Sequence, residues 1–266
     1  FVGLSPNLEG EEMPVHVDGF DGGDRTEIEL PAVQKQMLEA VAATGKPVIV
    51  VLMNGSALAV KWAKENAAAV VEAWYPGEEG GAAIANTLAG DNNPAGRLPI
   101  TFYTGTKELP PFDDYSMADR TYRYFKGTTL WGFGYGLSYS KFKWSDVKLS
   151  TEKLAAGEPL TLDAEVENTG AEKGDAVSEI YLKAPASATT PLHSLVGFVR
   201  TPLDGHARQH VHVVIDPRNL STVAADGKRS IEAGEYTLFV GGAQPEADED
   251  GVTKQFTIVG SKQLPK

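Results

Sequence analysis

The fold of the first part of the chain is decided by the stretch PVIVVLM, residues 47–53, which Asn54 and Gly55 follow directly. This stretch is continuously apolar and rich in β-branched residues, and it ends in a turn signal. Parallel strands that are covered on both faces have this composition, because the side chains of both faces must avoid water. The stretch therefore predicts a buried strand of a parallel sheet.

The segments on either side of this strand alternate between helix and strand patterns. Upstream, Pro31 suits a first helical turn and Gly45 a helix stop. The apolar face of this predicted helix consists of Val33, Met37, Leu38 and Val41. Downstream, the pattern predicts helices over residues 58–66 and 79–88 and strands over residues 69–74 and 97–102. This order is typical of an α/β domain with a mostly parallel sheet.

The first residues of the chain, 1–5, read as the end of a strand that runs into a loop. We therefore expect the chain to begin inside a domain. On this interpretation, residues 1–103 are the later part of an α/β sandwich domain.

Residues 104–141 show no clear period and are rich in Pro, Gly and aromatic residues. Loops of this length inside compact proteins are usually functional or wrap another domain. We interpret the segment as a linker that wraps the two domains. We expect four aromatic side chains of this linker to pack against the two domains and hold it in place: Phe112, Tyr115, Tyr122 and Tyr124.

Residues 142–266 have the sequence pattern of an all-β domain. Short apolar or alternating runs are separated by turn signals, and the clearest runs are residues 160–166, 177–182, 210–215 and 236–240. This spacing suits an immunoglobulin-like or fibronectin III-like sandwich of roughly seven strands. The predicted fold class is thus a partial α/β sandwich domain followed by an all-β sandwich.

Composition and charge exclude several classes of function. The formal net charge of −12 argues against nucleic acid and against an anionic membrane surface, because phosphates would be repelled. No apolar run approaches the length of a transmembrane helix. The chain has no cysteine, which excludes disulfides and thiol nucleophiles. Its five histidines lack the spacing of a metal site, so we predict no metal and no cofactor.

Several motifs spread along the first half of the chain belong together. They are GEEM (10–13) with GGDR (22–25) and LP (30–31), GKPVIV (45–50) leading to NG (54–55), EAWYPG (72–77) with EGG (79–81), GDNNPAGRLP (90–99), RTYRY (120–124) and FGYGLSY (133–139). As a set they resemble glycoside hydrolase family 3. The resemblance implies an α/β sandwich domain and a fibronectin type III-like domain, with a preceding (β/α)8 barrel that carries an aspartate nucleophile.

The resemblance also implies an activity. Members of this type are retaining, exo-acting β-glucosidases or β-xylosidases, which release terminal non-reducing sugars from plant-derived oligosaccharides. The expected partners are a β-linked oligosaccharide and the barrel of the same enzyme, and a homodimer is compatible with the family. The resemblance favours secretion or a periplasmic location. Because the nucleophile would lie in the barrel, the chain alone is predicted to be inactive.

A retaining glycosidase needs two carboxyl groups, a nucleophile and a general acid/base. Three glutamates cluster in a loop after a strand, where open α/β sheets present functional groups, and they are Glu9, Glu11 and Glu12. The family position favours Glu11 as the acid/base, and Glu12 and Glu9 are the alternatives. Burial and neighbouring negative charge would raise the pKa of such a carboxyl.

Three further residues are candidates for substrate binding or for ordering this loop. Asp24 and Arg25 offer an ion pair that could brace the loop against the helix near Leu30. Asn54 lies at the carboxyl end of the predicted strand and would border the site. A plain turn before a helix explains Asn54 equally well.

Two other functions stay open at this point. A β-N-acetylglucosaminidase of the same family is one, although such members often take their acid/base from the barrel, so the glutamate loop counts against it. A non-catalytic carbohydrate-binding or scaffold module, with the β-sandwich as its working part, is the other.

Overall fold

A computed structural model describes residues 1–9, 14–22, 24–187, 189–248 and 250–265. The chain forms two compact units. The first, which we call the α/β unit, comprises Phe1–Asn92, Ile100–Asp119 and Lys126–Gly132. The second, the sandwich unit, comprises Asn93–Pro99, Arg120–Phe125 and Phe133–Lys266.

The α/β unit is built on a three-stranded parallel sheet. Its elements are β1 (Val2–Gly3), β2 (Phe20–Asp21), β3 (Asp24–Arg25), α1 (Ala32–Ala42), β4 (Ile49–Met53), α2 (Lys61–Asn66), β5 (Ala69–Glu72), α3 (Gly80–Ala89), β6 (Phe102–Tyr103) and β7 (Thr129–Trp131). The sheet has the order β1-β4-β5. The centre of β4 is buried at Val50, Val51 and Leu52, as its unbroken apolar sequence predicts.

Helix α1 meets the sheet through a different face from the one predicted. Leu38 is buried, whereas Val33, Met37 and Val41 are exposed. Gln34, one helical turn before Leu38, lies against β1. Its Oε1 accepts from the Gly3 N–H at 2.8 Å and its Nε2 donates to the Gly3 carbonyl at 2.8 Å. A polar side chain thus takes a position on the sheet-facing side that the apolar stripe was expected to fill.

The strand predicted over residues 97–102 is also different in the structure. Only Phe102–Tyr103 forms a strand, and it pairs antiparallel with Thr129–Trp131 rather than extending the parallel sheet. Pro99 has no N–H to donate to a ladder, which disfavours a longer strand there. Residues 93–99 instead belong to the sandwich unit.

The linker aromatics do not share one environment. Phe112 and Tyr115 are 91% and 92% exposed, so the prediction that they pack against the domains and hold the linker is wrong. Phe112 lies in, and Tyr115 directly follows, a turn in which the Asp114 N–H donates to the Pro111 carbonyl. Tyr122 stacks on Phe133 at 4.2 Å within the sandwich unit.

The sandwich unit contains two main antiparallel layers. Its elements are α4 (Thr121–Tyr124), β8 (Phe142–Leu149), β9 (Lys153–Ala155), β10 (Leu160–Asn168), β11 (Gly174–Lys183), β12 (Ser194–Leu203), β13 (Arg208–Ile215), a 3-10 helix (Pro217–Leu220), β14 (Thr222–Val223), β15 (Arg229–Ile231), β16 (Gly234–Gly241), β17 (Val252–Val259) and β18 (Lys262–Leu264). One sheet has the order β13-β10-β8 and the other β12-β11-β16-β17-β9. Strand β9 pairs parallel with β17 at the edge. A small third sheet has the order β14-β15-β18.

The core of the sandwich unit lies between the inner faces of the two main sheets. Alternate residues of β10 point inward, namely Leu160, Leu162, Ala164 and Val166, and they meet Ile180, Leu182, Leu238 and Val240 of the other sheet. A polar bond crosses this core: Trp144 Nε1 on β8 donates to Ser178 Oγ on β11 at 2.8 Å. Both side chains are buried. The bond therefore joins the two sheets where water cannot replace it.

Among the residues that the structure describes, no helix has both the length and the apolar character needed to cross a bilayer.

The Trp144–Ser178 bond gives a stability prediction. Ser178→Ala leaves the buried indole N–H without an acceptor and should lower the free energy of unfolding by about 1–3 kcal/mol. In a Trp144→Phe background the same change removes no bond and should cost clearly less. Urea denaturation of the four proteins, followed by circular dichroism, measures both costs. Equal costs in the two backgrounds would show that the bond contributes nothing.

Candidate functional site

The carboxyl ends of β1, β4 and β5 lie at one edge of the parallel sheet. Gly3 is in register with Met53, and Leu52 with Glu72. The segments that leave these strands therefore start side by side. Functional groups of open α/β sheets are presented at this edge.

The carboxylate of Glu9 is held at this edge by several donors. Its Oε2 accepts from the Gly55 N–H at 2.7 Å and from the Tyr75 hydroxyl. Its Oε1 accepts from the Ser56 hydroxyl and lies 3.9 Å from Arg25 Nη1. We call Glu9, Arg25, Gly55, Ser56 and Tyr75 the Glu9 cluster. Both oxygens of this carboxylate therefore accept hydrogen bonds from the protein.

Arg25 connects the cluster to the segment that leads into α1. Its Nη1 donates to Ser56 Oγ at 3.1 Å and its Nη2 to the Glu29 carbonyl at 3.2 Å. The side chains of Arg25 and Glu9 are only 13% and 12% exposed. The ion pair predicted between Asp24 and Arg25 is replaced by one with Glu9. Asp24 and Arg25 are successive residues of β3, so their side chains point to opposite faces, and Asp24 is exposed.

Tyr75 and Gly55 fit closely against each other. A Cβ atom on Gly55 would lie 2.7 Å from Tyr75 Cε2 and 3.0 Å from Glu9 Oε2. The Tyr75 hydroxyl also lies 2.9 Å from the Leu4 carbonyl. Burial, reinforced by the negative charge of Glu9, raises the pKa of this hydroxyl, so it remains a donor. Glycine at position 55 is what lets the ring reach the carboxylate.

Asn54 and Glu72 form a second polar group beside the cluster. Asn54 is fully buried, and its Nδ2 donates to the Ser56 carbonyl at 2.6 Å and to Glu72 Oε2 at 3.3 Å. Glu72 Oε1 accepts from the Trp74 N–H at 3.0 Å. Burial raises the pKa of the Glu72 carboxyl to about 7; these hydrogen bonds oppose the shift and the charge of Glu9 adds to it. Asn54 Oδ1 and Arg25 Nε are buried without a partner among the described residues.

The preferred acid/base, Glu11, and its alternative Glu12 lie outside the described residues, as does Gly10. Glu9 is the last described residue before them and Pro14 the first after them. Of the predicted site residues, the structure brings Glu9 and Arg25 into contact and places Asn54 one residue before Gly55 of the same cluster. Within the described ranges, no group of three or more histidine and carboxylate side chains is placed to hold a metal ion.

Comparison with known proteins assigns the chain to a family. Residues 1–139 match the description Glycosyl hydrolase family 3 C-terminal domain, and residues 176–244 match Fibronectin type III-like domain. The chain belongs to glycoside hydrolase family 3. Both the predicted family and the predicted fold class are thereby confirmed.

The similar family 3 proteins are much longer than this chain. It is 41% identical to a xylan 1,4-beta-xylosidase of Xylanibacter ruminicola, over 92% of this chain and 28% of that protein. It is 37% identical to a periplasmic beta-glucosidase of Salmonella typhimurium, over 83% of this chain and 31% of that protein. The crystal structure of a beta-glucosidase from Kluyveromyces marxianus in complex with glucose superposes with a TM-score of 0.82, at 28% identity, over 98% of this chain and 32% of that one. The chain thus spans about three tenths of the length of these relatives.

Ser56, Glu72 and Tyr75 were not among the predicted site residues of this family 3 chain. Tyr75 and Glu72 lie in the motif EAWYPG, and Ser56 directly follows the NG motif. Each lies at or just beyond the carboxyl end of a parallel strand, as Glu9 does. That shared position was the available signal, and it would have pointed to all three.

The packing at Gly55 gives a second prediction. Gly55→Ala must displace the Tyr75 ring or the Glu9 carboxylate, so the free energy of unfolding should fall by about 1–3 kcal/mol, as for other overpacked sites. Gly77→Ala is the matched control, because a Cβ there meets nothing within 4 Å. It should change stability by no more than about 0.5 kcal/mol. Equal effects of the two substitutions in urea denaturation would contradict the close fit.

The raised pKa of Glu72 gives a third prediction. A carboxyl whose pKa is about 7 in the folded chain and 4.5 in the unfolded chain stabilises the fold below pH 4.5 and loses this contribution as the pH rises to 7. Glu72→Gln does not titrate. Relative to the wild type, its free energy of unfolding should therefore rise across this window by at most about 3 kcal/mol.

Urea denaturation at several pH values measures this difference. The exposed Glu78→Gln gives the baseline for removing a carboxylate from the same unit. If Glu72→Gln and Glu78→Gln changed the free energy of unfolding by the same amount at every pH, the prediction would be contradicted.

Proposed function

We propose that the chain is the C-terminal part of a retaining, exo-acting β-glycosidase, a β-glucosidase or β-xylosidase. Its substrates are then the terminal non-reducing β-linked sugars of plant-derived oligosaccharides. The observation that carries the proposal is the Glu9 cluster, which fixes the chain two residues before Glu11 at the functional edge of the sheet. The names of the similar proteins, beta-xylosidase and beta-glucosidase, support the same activity.

Within the glutamate loop we assign the acid/base to Glu11 and a positioning role to Glu9. A general acid must carry a proton on the oxygen that faces the leaving group. Glu9 instead accepts hydrogen bonds on both oxygens and faces the cationic Arg25, so it is arranged as an anion bound to the protein. This argument favours Glu11 over Glu9, and Glu12 remains the alternative.

In the proposed reaction, an aspartate of a preceding (β/α)8 barrel attacks the anomeric carbon. Glu11 protonates the departing glycosidic oxygen and then removes a proton from the water that hydrolyses the glycosyl intermediate. The greater length of the relatives supports a further domain in the whole enzyme.

Asn54 and Arg25 are proposed to order the loop, because their hydrogen bonds run to other groups of the protein. Asp24 is exposed on β3 and remains the candidate of this set for contact with substrate.

We also propose domain bounds of 1–103, 104–141 and 142–266, with the middle segment as a linker. The division of that segment between the two compact units supports this role, since Lys126–Gly132 belongs to the α/β unit and Arg120–Phe125 to the sandwich unit. A homodimer of the whole enzyme is a further expectation, which light scattering would test.

The fourth prediction concerns Glu11 in the full-length enzyme. Glu11→Ala should reduce hydrolysis of oligosaccharides by about 10²–10⁴-fold, the usual contribution of a positioned acid or base. Dinitrophenyl glycosides need no protonation to leave, so the covalent intermediate should form and accumulate. Azide needs no base, so it should restore turnover and give a β-glycosyl azide of retained configuration.

Glu12→Ala and Glu9→Gln are the matched variants from the same loop. Azide rescue in a Glu12 or Glu9 variant and its absence in Glu11→Ala would overturn the choice of Glu11. Full activity in all three variants would show that the glutamate loop does not supply the acid/base.

The alternative functions predict different results for the wild type. A scaffold function predicts no hydrolysis, and an N-acetylglucosaminidase predicts preference for N-acetylglucosaminides. The 266-residue chain alone should hydrolyse no aryl β-glycoside.

A further inference from the structure

The outer face of the five-stranded sheet in the sandwich unit is buried over part of its area. Tyr181 of β11, Phe239 of β16 and Thr253 of β17 form one row across three strands. The neighbours of Tyr181 and Phe239 along their strands point to the opposite face and belong to the core. The outer face of an antiparallel sheet usually meets water. Tyr181 and Phe239 are nevertheless only 1% and 7% exposed, so other parts of the unit cover these two residues of the row.

A cavity of about 370 Å³ lies over this row. Tyr181 and Phe239 line it from the sheet, and Pro191, His193, Pro245 and Glu246 line it from two loops. Lys183 and Thr237, the next cross-strand pair, also border it. Small-molecule sites start at about 300 Å³ and combine apolar walls with a few convergent polar groups, and this cavity has both features.

One ring nitrogen of His193, Nε2, is bonded to Gln244. Gln244 Nε2 donates to the Phe133 carbonyl at 2.6 Å, so Gln244 Oε1 is the atom that faces His193 Nε2 at 2.7 Å. An amide oxygen can only accept, so His193 Nε2 carries a hydrogen. His193 is 6% exposed, with Tyr122 and Tyr181 against its ring. The other ring nitrogen, Nδ1, lies on the side of Glu246.

His193 Nδ1 and the Glu246 carboxylate converge at the cavity wall. His193 Nδ1 lies 3.6 Å from Glu246 Oε1. Among the described residues, no donor is hydrogen-bonded to His193 Nδ1. A hydroxyl group can donate to the carboxylate and can also accept or donate at an imidazole nitrogen, so a hydroxyl of a ligand suits both groups at once.

We propose that this cavity binds a pyranose sugar. One sugar hydroxyl lies between Glu246 and His193, and the C–H surface of the ring lies against Phe239 and Pro191. Glu246 disfavours an anion, and Lys183 disfavours a cation, which leaves a neutral, hydroxyl-rich ligand. The proposal rests on the proposed function only for the choice of sugars, D-xylose and D-glucose, as probes.

Titration of the 266-residue chain, monitored by ¹⁵N amide chemical shifts, tests this site. D-xylose or D-glucose should shift the amides of Thr190, Thr237 and Thr253 saturably, with a Kd on the order of 1 mM. Glu246→Ala should weaken this binding by about tenfold or more. Glu246 is exposed, so its replacement should leave the fold intact. Glu235→Ala removes an exposed carboxylate from the same sheet outside the cavity and should leave the Kd unchanged.

Three results would overturn the sugar site. They are the absence of saturable shifts at these amides, saturable shifts that Glu246→Ala leaves unchanged, and equal shifts on titration with inorganic phosphate, which would indicate an anion site. Binding here does not depend on hydrolysis. Failure of the sugar titration would leave the Glu11 assignment untouched, and loss of the Glu11 assignment would leave the titration unaffected.

Discussion

The carboxylate of Glu9 joins three segments of the α/β unit that are far apart in sequence. Donors reach it from the turn after β4, from the turn after β5 and from strand β3. Its distance along the chain from Gly55 and Tyr75 is 46 and 66 residues. A carboxylate that is nearly nine-tenths buried must be matched by donors, and removing one partner of a buried pair typically costs about 3–5 kcal/mol. The geometry of this sheet edge therefore depends on one side chain.

This constraint also explains the residue types around it. Glycine at position 55 allows a backbone N–H and an aromatic ring to approach the same oxygen. Serine at position 56 links the carboxylate to Arg25, which in turn contacts the Glu29 carbonyl just before α1. Glu72 lies close enough for its pKa to respond to the charge of Glu9. The site is thus one coupled group of charges and dipoles, in which a change at one residue alters the electrostatics of the next.

Local sequence patterns predicted those parts of the fold that depend on periodicity. Strand β4 is continuously apolar because both of its faces are covered, and β10 alternates because only one is. Local patterns failed where a distant residue decides the outcome. The apolar stripe of α1 could not reveal that Gln34 faces β1, and the β-like run at residues 97–102 could not reveal that residues 93–99 belong to the other unit. The partner of Arg25 was missed for the same reason. The adjacent Asp24 points to the opposite face of the strand, and the actual partner, Glu9, is 16 residues away and was considered only as an alternative acid/base.

Gln34 has a consequence for the solubility of the folded chain. Among the described residues, β1 is the outer strand of the parallel sheet, and exposed edges offer free backbone groups to strands of other molecules. The Gln34 carboxamide carries one donor and one acceptor in the arrangement of a peptide group, and it bonds both the N–H and the carbonyl of Gly3. A helix side chain thereby imitates a neighbouring strand for one residue. At Gly3 the edge is closed to intermolecular pairing, so protection against aggregation is built into the contact between a helix and a sheet.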